Sequence, residues 1–78
     1  MKLDAKDAAK IAKKYFEETK GHLYFLFETI KIAYDHREGC WIVDCEVTNI
    51  FEEASREYLV RIRDEDGTIA DVEIKQPT

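Results

Sequence analysis

The sequence has few of the residues that interrupt regular structure, with only three glycines and one proline among 78 residues. It has no apolar run close to the length of about eighteen residues that a membrane span requires. Its N-terminus carries a lysine but lacks the apolar segment of a secretory signal. We therefore expect a cytoplasmic protein with no membrane partner, folded as one domain over residues 1–78 with a small core.

Positive charge is in deficit, because twelve Lys and Arg residues face seventeen Asp and Glu residues and leave a net charge of −5. This balance opposes binding to phosphate backbones, so we expect no nucleic acid partner. Hydrophobic residues nevertheless make up 45% of the chain, which favours a folded globule over a disordered segment.

Cysteine is scarce, since the chain has only Cys40 and Cys45. On one strand these residues point to opposite faces and lie roughly 16 Å apart at about 3.3 Å per residue, too far for a disulfide and unlike the tight knuckle of a zinc site. We expect Cys45 to be a small core residue. Cys40 lies beside a turn containing His36 and Arg37, and we predict that it is the reactive thiol.

The first part of the chain predicts an amphipathic helix over about residues 4–20. Asp4 can cap its start, Asp7 suits the positive end of its dipole, and Gly21 can end it in the left-handed conformation. Helical spacing gathers six residues into one apolar stripe: Leu3, Ala8, Ile11, Ala12, Tyr15 and Phe16. The helix is therefore expected to cover a single surface.

Alternating patterns predict four strands over about residues 23–35, 40–50, 57–64 and 68–75. Gly39 and Gly67 are placed to form hairpin turns, and residues 51–57 form a longer connection or a helical turn. The predicted fold is α+β, with one N-terminal helix packed on a four-stranded antiparallel meander of order 1-2-3-4. The expected inward positions are Trp41, Val43, Cys45, Val47, Tyr58, Val60, Ile62, Ala70, Val72 and Ile74.

The first strand is ambiguous, because Phe25 and Phe27 have the opposite parity to its later apolar residues. Either both phenylalanines lie on the face that the helix leaves open, or a bulge near Glu28–Thr29 resets the register. A helical conformation for residues 22–30 is a further alternative.

A surface rather than a catalytic centre is the expected site. Apolar side chains on the open face would mark an interaction site, and the arginines of the third strand are expected to pair there with Asp44, Glu46, Asp71 and Glu73. The candidate interaction residues are Phe25, Phe27, Ile42, Arg61 and Arg63.

No stretch has the spacing of a catalytic, cofactor or metal motif. A dyad of His36 and Cys40 would need an oxyanion pocket and a third orienting group. Residues 64–67, Asp-Glu-Asp-Gly, resemble the start of a calcium loop but lack the later ligands. We therefore expect neither enzymatic activity nor a cofactor or metal.

The block Gly-Cys-Trp-Ile-Val-Asp-Cys-Glu-Val, followed by Tyr-Leu-Val-Arg-Ile-Arg-Asp-Glu-Asp-Gly, resembles the centre of the gas-vesicle accessory protein O family. The helix followed by a meander also looks like a PepSY-type domain. The gas-vesicle resemblance covers about residues 38–72 and implies an accessory role in assembly. The residues that match are Trp41, Val43, Glu46, Val47, Tyr58, Val60 and Gly67.

The sequence thus predicts a non-enzymatic protein-interaction or accessory domain. Its partner would be another protein or a second copy of the chain, contacted through the sheet and its edge strand. The alternative is a domain that binds a small molecule between the helix and the sheet, or that senses redox state through Cys40.

Overall fold

The computed structural model describes residues 2–20, 25–51 and 54–75. They form helix α1 (Ala5–Lys20) and strands β1 (Phe25–Asp35), β2 (Cys40–Asn49), β3 (Ala54–Arg63) and β4 (Ile69–Lys75). The strands form one antiparallel sheet in the order β1-β2-β3-β4, and α1 packs on one face of it. The predicted α+β fold is confirmed. Within the described ranges, no helix is both long enough and apolar enough to cross a membrane.

Helix α1 begins with a reciprocal cap. The Asp7 amide donates to Asp4 Oδ1 at 2.8 Å, and the Asp4 amide donates to Asp7 Oδ2 at 3.2 Å. Both bonds satisfy amides at the helix start that have no partner within the helix. The predicted cap at Asp4 is confirmed, whereas the predicted stop at Gly21 lies outside the described residues.

The core lies between α1 and the face of the sheet beneath it. Because residues directly opposite each other on antiparallel strands point to the same face, the pairs Trp41–Ile62, Val43–Val60 and Cys45–Tyr58 all point toward the helix. From the helix, Ala8, Ala12 and Phe16 are buried against them. This arrangement confirms the inward parity predicted for β2 and β3.

A bulge in β1 decides where its aromatic residues lie. The pairing passes from Thr29–Cys45 to Lys31–Asp44, so Ile30 is the extra residue, one position beyond the place predicted from the sequence. Phe25 and Phe27 consequently lie on the same face as Val47 and pack against the core. The alternative of a bulge near Glu28–Thr29 is thus confirmed. The alternative that both phenylalanines face away from the helix, on which their place in the predicted interaction surface depended, is wrong, and so is a helical conformation from Phe25 onward.

Strands β3 and β4 also depart from the predicted pattern. β3 begins at Ala54, because the pairs Asn49–Ala54 and Thr48–Ser55 extend its ladder with β2 into the expected connection. In β4 a second bulge leaves Ala70 unpaired, since Ile62 lies opposite Ile69 and Arg61 opposite Asp71. Ala70 is therefore exposed, and Ile69 packs against the core in its place.

Two glycines close the outer hairpins as predicted. Gly39 and Gly67 have φ values of 65° and 75°, a left-handed conformation that side chains disfavour. Each amide donates to the carbonyl four residues earlier, Gly39 to Asp35 at 2.9 Å and Gly67 to Arg63 at 2.8 Å. The two turns thus have the same hydrogen-bond pattern and the same glycine conformation.

The helix does not cover the whole sheet. Among the described residues, the α1 backbone lies within 8 Å of β1, β2 and β3 but not of β4. Val72 and Ile74 point to the helix side of the sheet, because they lie opposite Val60 and Tyr58. Val72 is nevertheless only partly buried, and Ile74 is 46% exposed. The part of this face that β4 forms is therefore left open.

Candidate interaction site

The uncovered part of the sheet forms a groove between α1 and β4, which we call the α1–β4 groove. It consists of two adjoining cavities of about 410 and 360 Å³, which share Tyr15. Its apolar lining comes from both elements: Ile11 and Tyr15 on the helix, and Ile69, Val72 and Ile74 on the strand. An apolar surface of this kind, exposed beside a sheet edge, is suited to contact with another molecule.

Polar groups border the groove at both ends. Lys14 and Glu18 line one cavity and form an exposed ion pair at 4.0 Å. Arg56 lines the other cavity, next to Ile74. An exposed ion pair of this type contributes under about 1 kcal/mol to stability, so these groups can exchange partners at little cost.

Strand β4 is also an edge of the sheet, since among the described residues it is bonded only to β3, on one side. The other side presents backbone amides and carbonyls that a further strand could pair with. Asp71 and Glu73 point to the face opposite the groove and are exposed. The edge therefore has one apolar face and one acidic face.

Two groups of ion pairs lie on the open face of the sheet. Near the first hairpin, Arg61 lies 3.8 Å from Asp35 and 3.5 Å from Glu38. At the other end Lys75 Nζ lies 3.2 Å from Asp44 Oδ2 and 3.6 Å from Glu57, and its pKa is raised by the bond to Asp44. Ion pairs therefore do occur on this face, but the predicted partners are wrong, because Arg61 pairs with residues of β1 and the hairpin rather than with Asp44, Glu46, Asp71 or Glu73.

Acidic groups crowd the middle of the open face. Glu46 lies directly opposite both Glu28 and Glu57, an arrangement of like charges that destabilises a sheet. Asp44 Oδ1 is buried and is without a hydrogen-bond partner among the described residues. No group of three or more His, Cys, Asp and Glu side chains in the described part of the chain is arranged to hold a metal ion.

Cys40 and His36, which the sequence does not support as a thiol dyad, have other partners. Cys40 Sγ donates to the Glu38 carbonyl at 3.6 Å, and the His36 ring packs edge-on against Tyr34 with centroids 4.8 Å apart. Cys40 is only 6% exposed, because β2 is a central strand and Cys40 is flanked by Asp35 on β1 and Arg63 on β3. The expected accessibility of Cys40 is therefore wrong, whereas its reactivity relative to Cys45 stays a prediction.

Cys45 lies in the core, as predicted. It is 0% exposed, and its Sγ donates to the Tyr58 carbonyl at 3.7 Å. Burial, together with the charge of Asp44, raises the pKa of the thiol to about 12. Cys45 is therefore a neutral packing residue, and both cysteines are free thiols.

Asp64 anchors the N-terminus, a role that the sequence pattern did not indicate. It is 8% exposed and accepts three hydrogen bonds, from the Lys2 amide at 2.8 Å, the Leu3 amide at 2.9 Å and Trp41 Nε1 at 3.0 Å. The Leu3 and Lys2 amides lower its pKa most, with a further contribution from Trp41. A buried indole needs an acceptor, which is the one signal that could have pointed to such a carboxylate.

The structure separates the residues predicted as one interaction surface. Phe25 and Phe27 pack on the helix side, with the Phe27 ring centroid 5.9 Å from that of Phe16. Ile42, Arg61 and Arg63 lie on the open face, where Ile42 is half-buried and Arg63 is exposed. The α1–β4 groove was missed because the sequence does not show which strand the helix leaves uncovered.

Comparison with known proteins gives no further guide, because no protein-family model, curated protein or solved structure matches this chain.

Proposed function

We propose that this chain is a non-enzymatic, cytoplasmic protein-interaction or accessory domain that contacts its partner through the α1–β4 groove and the free edge of β4. The observation that carries the proposal is that the helix leaves β4 uncovered, beside an edge that is open to pairing. A strand in this position offers backbone hydrogen bonds for affinity and side-chain contacts for specificity. The resemblance to gas-vesicle accessory proteins and PepSY-type domains fits an accessory role of this kind.

The contacts around the groove explain why binding there would not require refolding. Tyr15 packs edge-on against Phe16 at 5.1 Å, and Phe16 packs against Tyr58 at 4.8 Å, so the wall of the groove is continuous with the core. Among the apolar residues of β4 that line the groove, Ile74 is 46% exposed, whereas Ile69 and Val72 are partly buried. A partner would therefore meet a preformed surface, which reduces the ordering cost of association.

Site-specific photo-crosslinking tests this function. A photoreactive residue replaces Ile74 in the groove or, as a control, Leu26, which is 61% exposed at the opposite edge strand. In an extract of the cells of origin, we expect a defined protein adduct from position 74 and not from position 26. The adduct should disappear in a Val72→Asp variant that keeps its circular dichroism spectrum. Identical adducts at both positions, or none at either, would contradict the proposal.

The second candidate function is the binding of a small apolar molecule in the same groove. Its larger cavity, about 410 Å³, falls within the usual size range of ligand pockets. Native mass spectrometry of the protein purified from its own cells separates the two functions. A retained ligand displaced by Ile11→Asp would favour this candidate, whereas a ligand-free protein that still crosslinks at position 74 favours the first.

A further inference from the structure

We infer that the partner contacts β4 as an extended segment in which basic residues alternate with aliphatic or β-branched residues. This inference rests on the proposed function and specifies the chemistry of the partner. It follows from the side chains of β4, which alternate along the strand between the apolar face of the groove and the acidic open face.

The geometry of the edge sets the alternation. A strand added to β4 would place successive side chains on opposite faces of the sheet. Those on the helix side would lie next to Val72 and Ile74 and extend the apolar wall of the groove. Those on the other side would lie next to Asp71 and Glu73.

The acidic side chains of the edge are available for a partner. Asp71 and Glu73 are exposed, and neither side chain has an ion pair or hydrogen bond with another described residue. Lys75, the basic residue of the same strand, is already engaged by Asp44 and Glu57. Opposite charges on directly paired strand residues stabilise a sheet, so a partner with basic residues at these positions is favoured.

A second copy of the chain fits this edge less well. An antiparallel pair of β4 strands centred on Val72 would place Asp71 opposite Glu73 twice. Centring on Glu73 would place that residue opposite itself, with Asp71 opposite the occupied Lys75 on either side. Centring on Ile74 would bring Glu73 opposite Lys75, but Lys75 is held by Asp44. The net charge of −5 further opposes self-association.

Binding of a short synthetic peptide tests the inference directly. The probe is a fluorescein-labelled, end-capped peptide of sequence Lys-Val-Lys-Ile-Lys-Val, titrated with the full chain by fluorescence anisotropy. One control peptide carries Glu in place of each Lys, and a second has the same composition in blocks, Lys-Lys-Lys-Val-Ile-Val. We expect saturable binding of the alternating basic peptide and binding at least about tenfold weaker for both controls.

Charge variants of the protein locate the binding edge. The double variant Asp71→Lys/Glu73→Lys should weaken binding at least about tenfold, because it replaces two attractions with two repulsions. The matched control Glu28→Lys/Glu65→Lys changes the net charge equally at exposed positions outside β4, one on β1 and one in the β3–β4 turn, and should leave binding within about twofold. Equal weakening by both variants would show a non-specific charge effect and overturn the inference.

Backbone methylation of the peptide distinguishes strand pairing from contact by side chains alone. Methyl groups on the amides of the lysines block one edge of the peptide, and methyl groups on the amides of the apolar residues block the other. Strand addition predicts that only one of these peptides loses binding. If both bind as well as the parent, the segment does not add to the sheet and the inference is wrong.

The remaining outcomes separate this inference from the proposed function. Failure of the alternating peptide to bind, while position 74 still gives its crosslinked adduct, would refute the chemistry inferred for the partner and leave the interaction function standing. Absence of both would refute both. A dimer in sedimentation velocity that Asp71→Lys/Glu73→Lys disrupts would assign the edge to a second copy and also overturn the inference.

Discussion

Asp64 shows how much one residue can connect in a small domain. Its carboxylate joins the chain before α1, the indole of β2 and the start of the β3–β4 turn through three hydrogen bonds. These contacts lie more than 20 residues apart in sequence, so no local pattern predicts them. The sequence indicated a turn at this position, but it could not indicate what the turn would hold.

The variant Asp64→Asn should have a lower thermal midpoint than the wild type at pH 7. The folded-state pKa of Asp64 is lowered, so its stabilisation is present above the ordinary Asp pKa of about 3.9 and is lost as pH falls through the lowered value. The gap between variant and wild type should therefore narrow below about pH 4. Circular dichroism melts at pH 7 and pH 3 measure it, with exposed Glu65→Gln in the same turn as the control. A gap that does not depend on pH would contradict this assignment.

Both cysteines should react slowly with a thiol reagent in the native protein, and Cys45 should be the slower of the two. Cys40 is 6% exposed and Cys45 is 0% exposed. The pKa of about 12 for Cys45 also leaves almost no thiolate, the reactive form. Mass spectrometry of peptides after timed labelling measures the two rates, and labelling in denaturant should make them equal. Faster native labelling of Cys45 would show that β2 has the opposite face toward the helix.

At the scale of the elements, the faces of β2 and β3 were predictable because both strands alternate without interruption. The faces of β1 and β4 were only partly predictable, since each contains one extra residue, Ile30 and Ala70. One inserted residue reverses the parity of everything beyond it. Apolar residues on both sides of each bulge are compatible with more than one bulge position, which is why the sequence left two alternatives for Phe25 and gave the wrong face for Ala70.

Substitution of Val60 and of Val72 tests whether α1 covers β3 more completely than β4. The two residues lie directly opposite each other, but Val60 is fully buried and Val72 only partly. Val60→Ala should destabilise the protein by about 1–3 kcal/mol, whereas Val72→Ala should cost less than about 1 kcal/mol because little cavity forms at an open site. Urea denaturation of the two variants gives both values. Equal losses would mean that β4 is covered in solution.

The hairpin glycines should differ in their tolerance of a side chain. Both have left-handed φ values, so alanine should cost about 1–2 kcal/mol at either position. At Gly67 the added Cβ would also lie 3.3 Å from Ile11 Cδ1, whereas at Gly39 its nearest contact is Tyr34 Oη at 3.8 Å. Gly67→Ala should therefore lower the denaturation midpoint more than Gly39→Ala. The reverse order would show that contact between this turn and α1 does not limit stability.

At the scale of the whole molecule, the sequence could predict the architecture but not the position of the helix across the sheet. The apolar stripe of α1 and the alternation of the strands require only that the two surfaces meet. Which strand remains uncovered depends on packing that no single segment encodes, such as Phe16 fitting between Phe27 and Tyr58. The α1–β4 groove results from this long-range packing, so its position could not be predicted from the sequence.

Amide hydrogen exchange should differ between the strands that α1 covers and the uncovered strand β4. The central strands β2 and β3 have bonded neighbours on both sides and lie under α1, so their amides should exchange only through global unfolding. In the described part of the chain, strand β4 pairs with one strand and is not covered by α1, so its amides should exchange fastest among the four strands. Addition of the alternating basic peptide should slow exchange in β4 and leave β1, the other edge strand, unchanged. Protection that appears first in β1 would place the interaction surface at the opposite edge of the sheet.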